Sequence, residues 1–348
     1  MAKYDKEDNY EVEDTRILFS GGEPFLYWDC IKEIIETYEN RFQYAFNTSG
    51  YCFTEEMLEF LSHYKVTFVL SVDGDEKLTN YLRPLKSNPY KVGYMKQLKK
   101  IIPTMLYYFP MTPFRIIVNP RYVDLLYQQY LEAERLGFRY FTFILDFESR
   151  PDRNLNKDTI IWEEKHTNIL QEQFDLIIRD IVFGFYQNVS KPRIVEMDKV
   201  LQYLLKPVEF SPENLPCKVF DGRTLNTLYV QKDFYCMSMA FPDPEDAKRE
   251  LMEAYNRQNH QCTLDKECPA FDYCALHCCP QLGLTTRTGF FDFDPLECAI
   301  NKVIYKSAIK LLYLSNELCP DAQLYKQFIN SFSYEGKEEV INGTLLPL

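Results

Sequence analysis

Residues 16–29 read Arg-Ile-Leu-Phe-Ser-Gly-Gly-Glu-Pro-Phe-Leu-Tyr-Trp-Asp (RILFSGGEPFLYWD). The first five are apolar and β-prone, which predicts a strand over 16–20. Gly21 and Gly22 then let the backbone adopt φ values that a side chain forbids and let a ligand approach it closely. Glu23 can accept hydrogen bonds from an ammonium group, and Pro24 sets φ where a helix begins. Trp28–Glu39 follows as that helix, with Ile31, Ile34 and Ile35 at helical spacing. Taken alone, the same residues also read as a tight strand-to-helix turn whose glutamate points into solvent.

The pattern repeats outward. QYAFNTSG (43–50) reads as strand then turn, and Thr54 caps a helix carrying Leu58 and Leu61. VTFVLSVDG (66–74) is a strand so apolar that both faces must be covered. FRIIVNP (114–120) is another, followed by a helix over 121–136 that stops at Gly137. FRYFTFILDF (138–147) is the next strand. Strand–helix alternation of this kind predicts a parallel sheet with right-handed crossovers, open or curled into a barrel. Asp146 and Glu148, at the end of that last strand, stand on the side where barrel sites form, as substrate-side acid or base or as solvated caps.

Beyond about residue 150 the rhythm changes. A polar loop precedes a long helix over 160–186, and 187–216 reads as a connector with a short helix at 195–206. The expected organisation is 1–150 as the strand–helix domain, 151–216 as a helical connector, 217–298 as a cysteine-rich domain, and 299–348 as a closing helix and tail.

Composition narrows the class. Hydrophobic residues make up 46% of 348, so the chain buries a core rather than staying disordered. A net charge of −12 argues against nucleic acid as a partner. No stretch is long and apolar enough to predict a membrane span, and the charged start lacks a secretory core, which predicts a cytoplasmic protein. Of eleven cysteines only Cys30 and Cys52 precede Cys217. In a reducing compartment such clustering points to metal or iron–sulfur ligation rather than disulfides.

FSGGEPFLYWD resembles the GGEP motif of radical S-adenosylmethionine (SAM) enzymes, which follows their second barrel strand and meets the amino group of SAM. FNTSGYCFTEEMLEFL is similar to the family's third-strand segment. VLSVDGDEKLTNYLRP is similar to its fourth, with an arginine twelve residues after the serine. The resemblance implies SAM-binding positions at Gly21, Gly22, Glu23, Pro24, Ser71 and Arg83. A plain turn at Ser71 and Asp73, and a surface ion pair at Arg83, are the structural alternatives.

The last third resembles the family's SPASM or twitch extension. Cys268-x5-Cys274-x3-Cys278 fits its spacing, with Cys298 nineteen intervening residues further on. By position the resemblance assigns Cys262, Cys268, Cys274 and Cys298 to one auxiliary 4Fe–4S cluster, and Cys217, Cys236 and Cys278 to another. The second set supplies three thiolates, because Ser211 stands where several relatives carry a further cysteine. One or two clusters are therefore expected. Four-cysteine zinc is the alternative, though C-x2-C knuckles are absent. His277, beside Cys278, is a further candidate ligand or an exposed loop residue.

The family's catalytic C-x3-C-x2-C triplet does not occur in these residues. The expected fold is α/β: a partial (β/α)6 radical SAM barrel lacking its first strand, followed by a small cysteine-rich auxiliary-cluster domain. A truncated chain is the simpler explanation, and a degenerate relative the other. RILFS then becomes a sheet edge that a partner chain could cover. Three functions are open at this point. The parent activity is radical modification of a peptide or protein side chain, with this chain itself inactive in SAM cleavage. The second is a non-catalytic iron–sulfur or zinc module binding a peptide or partner. The third is an α/β protein with a zinc-bound knob.

Overall fold

A computed structural model describes residues 16–83, 94–146, 160–205, 225–227, 232–234, 268–270, 295–318 and 326. The chain divides into two compact units. The first runs to Leu145 and takes in Arg179–Val195; the second holds Asp146–Ile178 and most of the chain from Glu196 onward.

The first unit is built on a six-stranded sheet: β1 (Arg16–Phe19), β2 (Gln43–Thr48), β3 (Val66–Ser71), β4 (Pro113–Val118), β5 (Tyr140–Leu145) and β6 (Arg193–Ile194). Every neighbouring pair is parallel, and the spatial order is the chain order. A doubly wound sheet reverses direction partway; this one never does. With right-handed crossovers, stepping always the same way places the connecting helices on one face. The contacts agree: Trp28 of α1 (Trp28–Tyr38) meets Phe60 of α2 (Glu55–Ser62) at 5.5 Å, and α2 packs on α4 (Tyr94–Tyr108). Between them in sequence lies the short α3 (Glu76–Leu82).

Register explains why the chain spends so many phenylalanines here. Phe19, Phe46 and Phe68 are paired partners on β1, β2 and β3, with ring centroids 4.8 Å and 5.3 Å apart. Phe25, Phe53 and Phe109 close over this ladder. Burying the rings of Phe25, Phe46, Phe53 and Phe68 stabilises the unit by about 2–3 kcal/mol each. Phe25 comes directly after Pro24, so its burial pulls the glycine turn down onto the end of the sheet. Alternation sends the intervening residues Ala45, Asn47, Val69, Ser71, Arg115 and Thr142 to the other face. That face is much more polar, and on it Arg115 Nη1 reaches across β3 to donate to Asn47 Oδ1 at 3.2 Å.

The first five strands lie where the sequence puts them. The sixth, β6, comes from the segment expected to be connector, two residues long and paired with Tyr140 and Phe141. α5 (Leu126–Arg135) is preceded by a 3-10 turn, Pro120–Leu125, where a single helix was expected. Tyr130 Oη donates to the Pro192 carbonyl at 2.9 Å, and Lys191 pairs with Glu134 and Asp180, so the approach to β6 is fixed by α5. Within the described residues β1 is an edge of the sheet.

The second unit contains most of α6 (Glu164–Tyr186), α7 (Val195–Leu205), a short antiparallel hairpin of β7 (Leu225–Thr227) with β8 (Lys232–Phe234), and α8 (Pro295–Leu318). α6 and α8 meet through Gln171 on Ser307 and Lys310 on Asp175.

Candidate functional site

The C-terminal ends of β1, β2 and β3 are adjacent, and all the SAM-contact positions implied by the resemblance fall there. Parallel sheets place ligands at this edge because the strand-to-helix turns converge on it.

The β1 turn is open. Gly21 holds φ +137°, a conformation side chains rarely adopt. Among the described residues a Cβ on Gly21 or Gly22 meets nothing within 4 Å, so these residues leave space directly beside the backbone. Glu23 is bonded within the protein. It caps the 3-10 turn Pro24–Tyr27 by accepting from Phe25 N at 3.3 Å. The same oxygen accepts from Thr48 Oγ1 at 2.7 Å, and the other from Ser49 N at 2.8 Å and from Ser49 Oγ. The acceptor expected to face an ammonium group is thus met by donors of this chain. The residues that meet it, Thr48 and Ser49, escaped the sequence reading. The only signal was the pair of hydroxyls before Gly50.

The β2 turn is closed by contrast. Gly50 has φ +73°, and a Cβ there would lie 2.7 Å from Leu70 Cδ1 and 2.9 Å from Leu98 Cδ1. Its N–H donates to Thr48 Oγ1 at 2.9 Å. Cys52 follows; burial first, then the negative Glu23, push its thiol up, so it is no ready thiolate.

At the β3 end Ser71 stands in register with Arg115. Asp73, two residues on, is 1% exposed and left-handed at φ +74°. Its Oδ1 accepts from Ile117 N at 3.0 Å, its carbonyl from Gln129 Nε2 at 2.6 Å, and its Oδ2 from Arg83 Nε. So Asp73 carries Arg83 to the strand end. Arg83 ends α3 half-exposed, and among the described residues no acceptor meets its terminal guanidinium nitrogens. The surface ion pair expected as an alternative is present, but its carboxylate is buried and its cation still offers two donor groups.

Asp146 directly follows β5; Glu148 lies outside the described residues. Of the seven cysteines implied as cluster ligands, only Cys268 and Cys298 are described, the latter in the first turn of α8. Cys217, Cys236, Cys262, Cys274 and Cys278 lie outside the described residues, as does His277. Among the described residues no three His, Cys, Asp or Glu side chains group to hold a metal ion, and no helix is long and apolar enough to cross a membrane.

No known protein-family profile matches the chain, and no curated protein matches it in sequence. Solved structures do. The chain is similar to native anSMEcpe with bound AdoMet and the Cp18Cys peptide, at 15% identity and TM-score 0.64, over 88% of this chain and 87% of that one. It is similar to native anSMEcpe with bound AdoMet at 16% identity and TM-score 0.62, over 88% and 86%. The form with the Kp18Cys peptide gives 16% identity and TM-score 0.61, over 88% and 86%. At such identities the likeness is one of fold.

Proposed function

We propose that this chain is a radical-SAM-type protein that holds S-adenosylmethionine across the ends of β1, β2 and β3, and whose parent activity is the modification of a peptide or protein side chain. The observation that carries the reading is the pairing of open space beside Gly21–Gly22 with the two outward donor groups of Arg83, both at one edge of the sheet. The backbone carbonyls of the glycine turn suit an ammonium, and the Arg83 fork suits a carboxylate. Together those are the two ends of an amino acid. The fold likeness supports the reading, since the anSMEcpe structures hold bound AdoMet and peptides.

The cofactor's contribution, when bound beside a reduced iron–sulfur cluster, is a 5′-deoxyadenosyl radical. This chain's residues supply binding and orientation. Gly21, Gly22 and Pro24 shape the turn, Ser71 and Arg83 border the β3 end, and the polar face bearing Asn47 and Arg115 is where a substrate peptide lies. In the cysteine-rich segment we assign Cys262, Cys268, Cys274 and Cys298 to one 4Fe–4S cluster and Cys217, Cys236 and Cys278 to another. Thiolates are the donors such clusters take. The 348 residues carry no C-x3-C-x2-C triplet, so on this reading the chain alone binds SAM without cleaving it.

Anaerobic purification tests the assignment. A brown protein with iron and sulfide in equal amounts is expected, and changing Cys268 and Cys298 both to Ala should remove the iron and sulfide of their cluster and leave those of the other. With SAM and dithionite it should release no 5′-deoxyadenosine. Stoichiometric zinc in place of iron would instead favour the zinc module.

A further inference from the structure

We infer that the ligand edge of the sheet carries a two-part apolar rim, Leu26–Tyr27 on one side and Tyr81–Tyr122 on the other, which selects a substrate peptide by two apolar side chains about four residues apart. The inference deepens the peptide reading above and rests on it.

The rim is built from the turns at the strand ends. Pro24–Tyr27 follows β1, and with Phe25 buried between them and the glycines, Leu26 and Tyr27 stand 68% and 71% exposed. On the other side Tyr81, near the end of α3 and two residues before Arg83, is 63% exposed. Tyr122 lies in the 3-10 turn directly after β4. Its ring meets that of Tyr81 edge-on at 6.2 Å, and the two phenols share a hydrogen bond. Single exposed apolar residues need no explanation, but a pair on each flank of one ligand edge makes a contact surface.

The spacing of the pairs sets what fits. Along the edge, the β2 turn and the Asp73–Arg83 pair at the end of β3 come between them. β1 and β4 are three strand spacings apart, about 14 Å, which an extended peptide laid across the edge covers in about four residues. Alternation puts residues i, i+2 and i+4 of such a peptide on one side. With apolar i and i+4 seated on the two pairs, residue i+2 points at the strand ends between them and is the one presented for modification. Exposed Asp29 and Asp124, two residues beyond Tyr27 and Tyr122, favour a peptide of positive charge.

Fluorescence polarisation with the full chain tests the rim. The probes are short fluorescein-labelled peptides of Gly, Ser and Lys carrying two phenylalanines at i,i+3, at i,i+4 or at i,i+5, with SAM present. The i,i+4 peptide should bind about tenfold tighter than the other two. Leu26→Ser/Tyr27→Ser and Tyr81→Ser/Tyr122→Ser should each abolish that preference. Tyr107→Ser is the control: Tyr107 is 80% exposed near the end of α4, which leads back to the start of β4 and so to the opposite edge, and the variant should bind as the parent does.

No binding by any probe, equal binding by all three, or a preference that survives in both double variants overturns the inference. So does an equal loss in Tyr107→Ser, which would mean adhesion to any exposed ring. Dialysis of SAM against the same protein separates this from the reading it rests on. SAM binding without a peptide preference overturns the rim alone; a peptide preference without SAM binding overturns the SAM reading and keeps the rim as a peptide site.

Discussion

Arg83 donates through Nε to Oδ2 of Asp73, a carboxylate sealed beneath the end of β3 while the arginine head stays partly in solvent. The two roles separate on mutation. Asp73→Asn keeps a residue that tolerates left-handed backbone but removes a buried charge with two donors, and should cost about 2 kcal/mol in urea denaturation. Asp73→Ala, strained at φ +74°, should cost more. Arg83→Met should cost under about 1 kcal/mol, because its end is exposed enough to be solvated.

Two glycines should respond in opposite ways. Gly50→Ala drives a Cβ into Leu70 and Leu98 and should lose about 2–3 kcal/mol of stability. Gly21→Ala meets no atom, so its cost is backbone strain of about 1–2 kcal/mol, and its larger effect should fall on SAM affinity. Denaturation and dialysis on the same two variants check the contrast.

Burial, then the neighbouring Tyr64 and Tyr38, push the Tyr44 phenol up to about 12. Its folded value lies above the unfolded one of about 10. Its contribution to stability is therefore complete below that unfolded value and fades as pH rises through the folded one. The Tyr44→Phe difference titration at the tyrosinate absorbance should lose a late-titrating group, and the variant should lose about 1 kcal/mol with its hydrogen bond to the Glu39 carbonyl.

His166 behaves in the reverse sense. Burial first, then Lys165, hold its imidazole below the ordinary value, against an upward pull from Glu163. Its Nδ1 accepts from Glu163 N at 3.0 Å, a bond only the neutral ring can make. With the folded value lowered, its contribution is present above the unfolded pKa and is lost as pH falls through the folded one. Acid titration by NMR should place His166 below the ordinary imidazole value, and His166→Phe should flatten that part of the stability profile.

How much of this could be read from the chain depends on range. Strands β1 to β5 announce themselves because apolar β-prone runs sit between turn residues. β6 does not: Arg193–Ile194 is two residues after a proline, and only Tyr140 and Phe141 make it a strand. α4 went unread because Pro103 stands inside it, where proline usually ends a helix. The turn at Gly21–Gly22 was legible, but the occupancy of Glu23 was not, since its partners lie 25 and 26 residues away. Asp73 looked like a turn residue and is one; that it also carries Arg83 needed the fold. The cysteine spacing says which residues could share a cluster, and of those only Cys268 and Cys298 fall among the described residues.

Equilibrium dialysis of radiolabelled SAM against the folded chain tests the central claim most directly. One saturable site per chain is predicted, weakened at least about tenfold by Arg83→Met and again by Gly21→Ala, and untouched by a change at exposed His63. Absence of saturable binding to a folded protein, or equal binding by all three variants, would contradict the account.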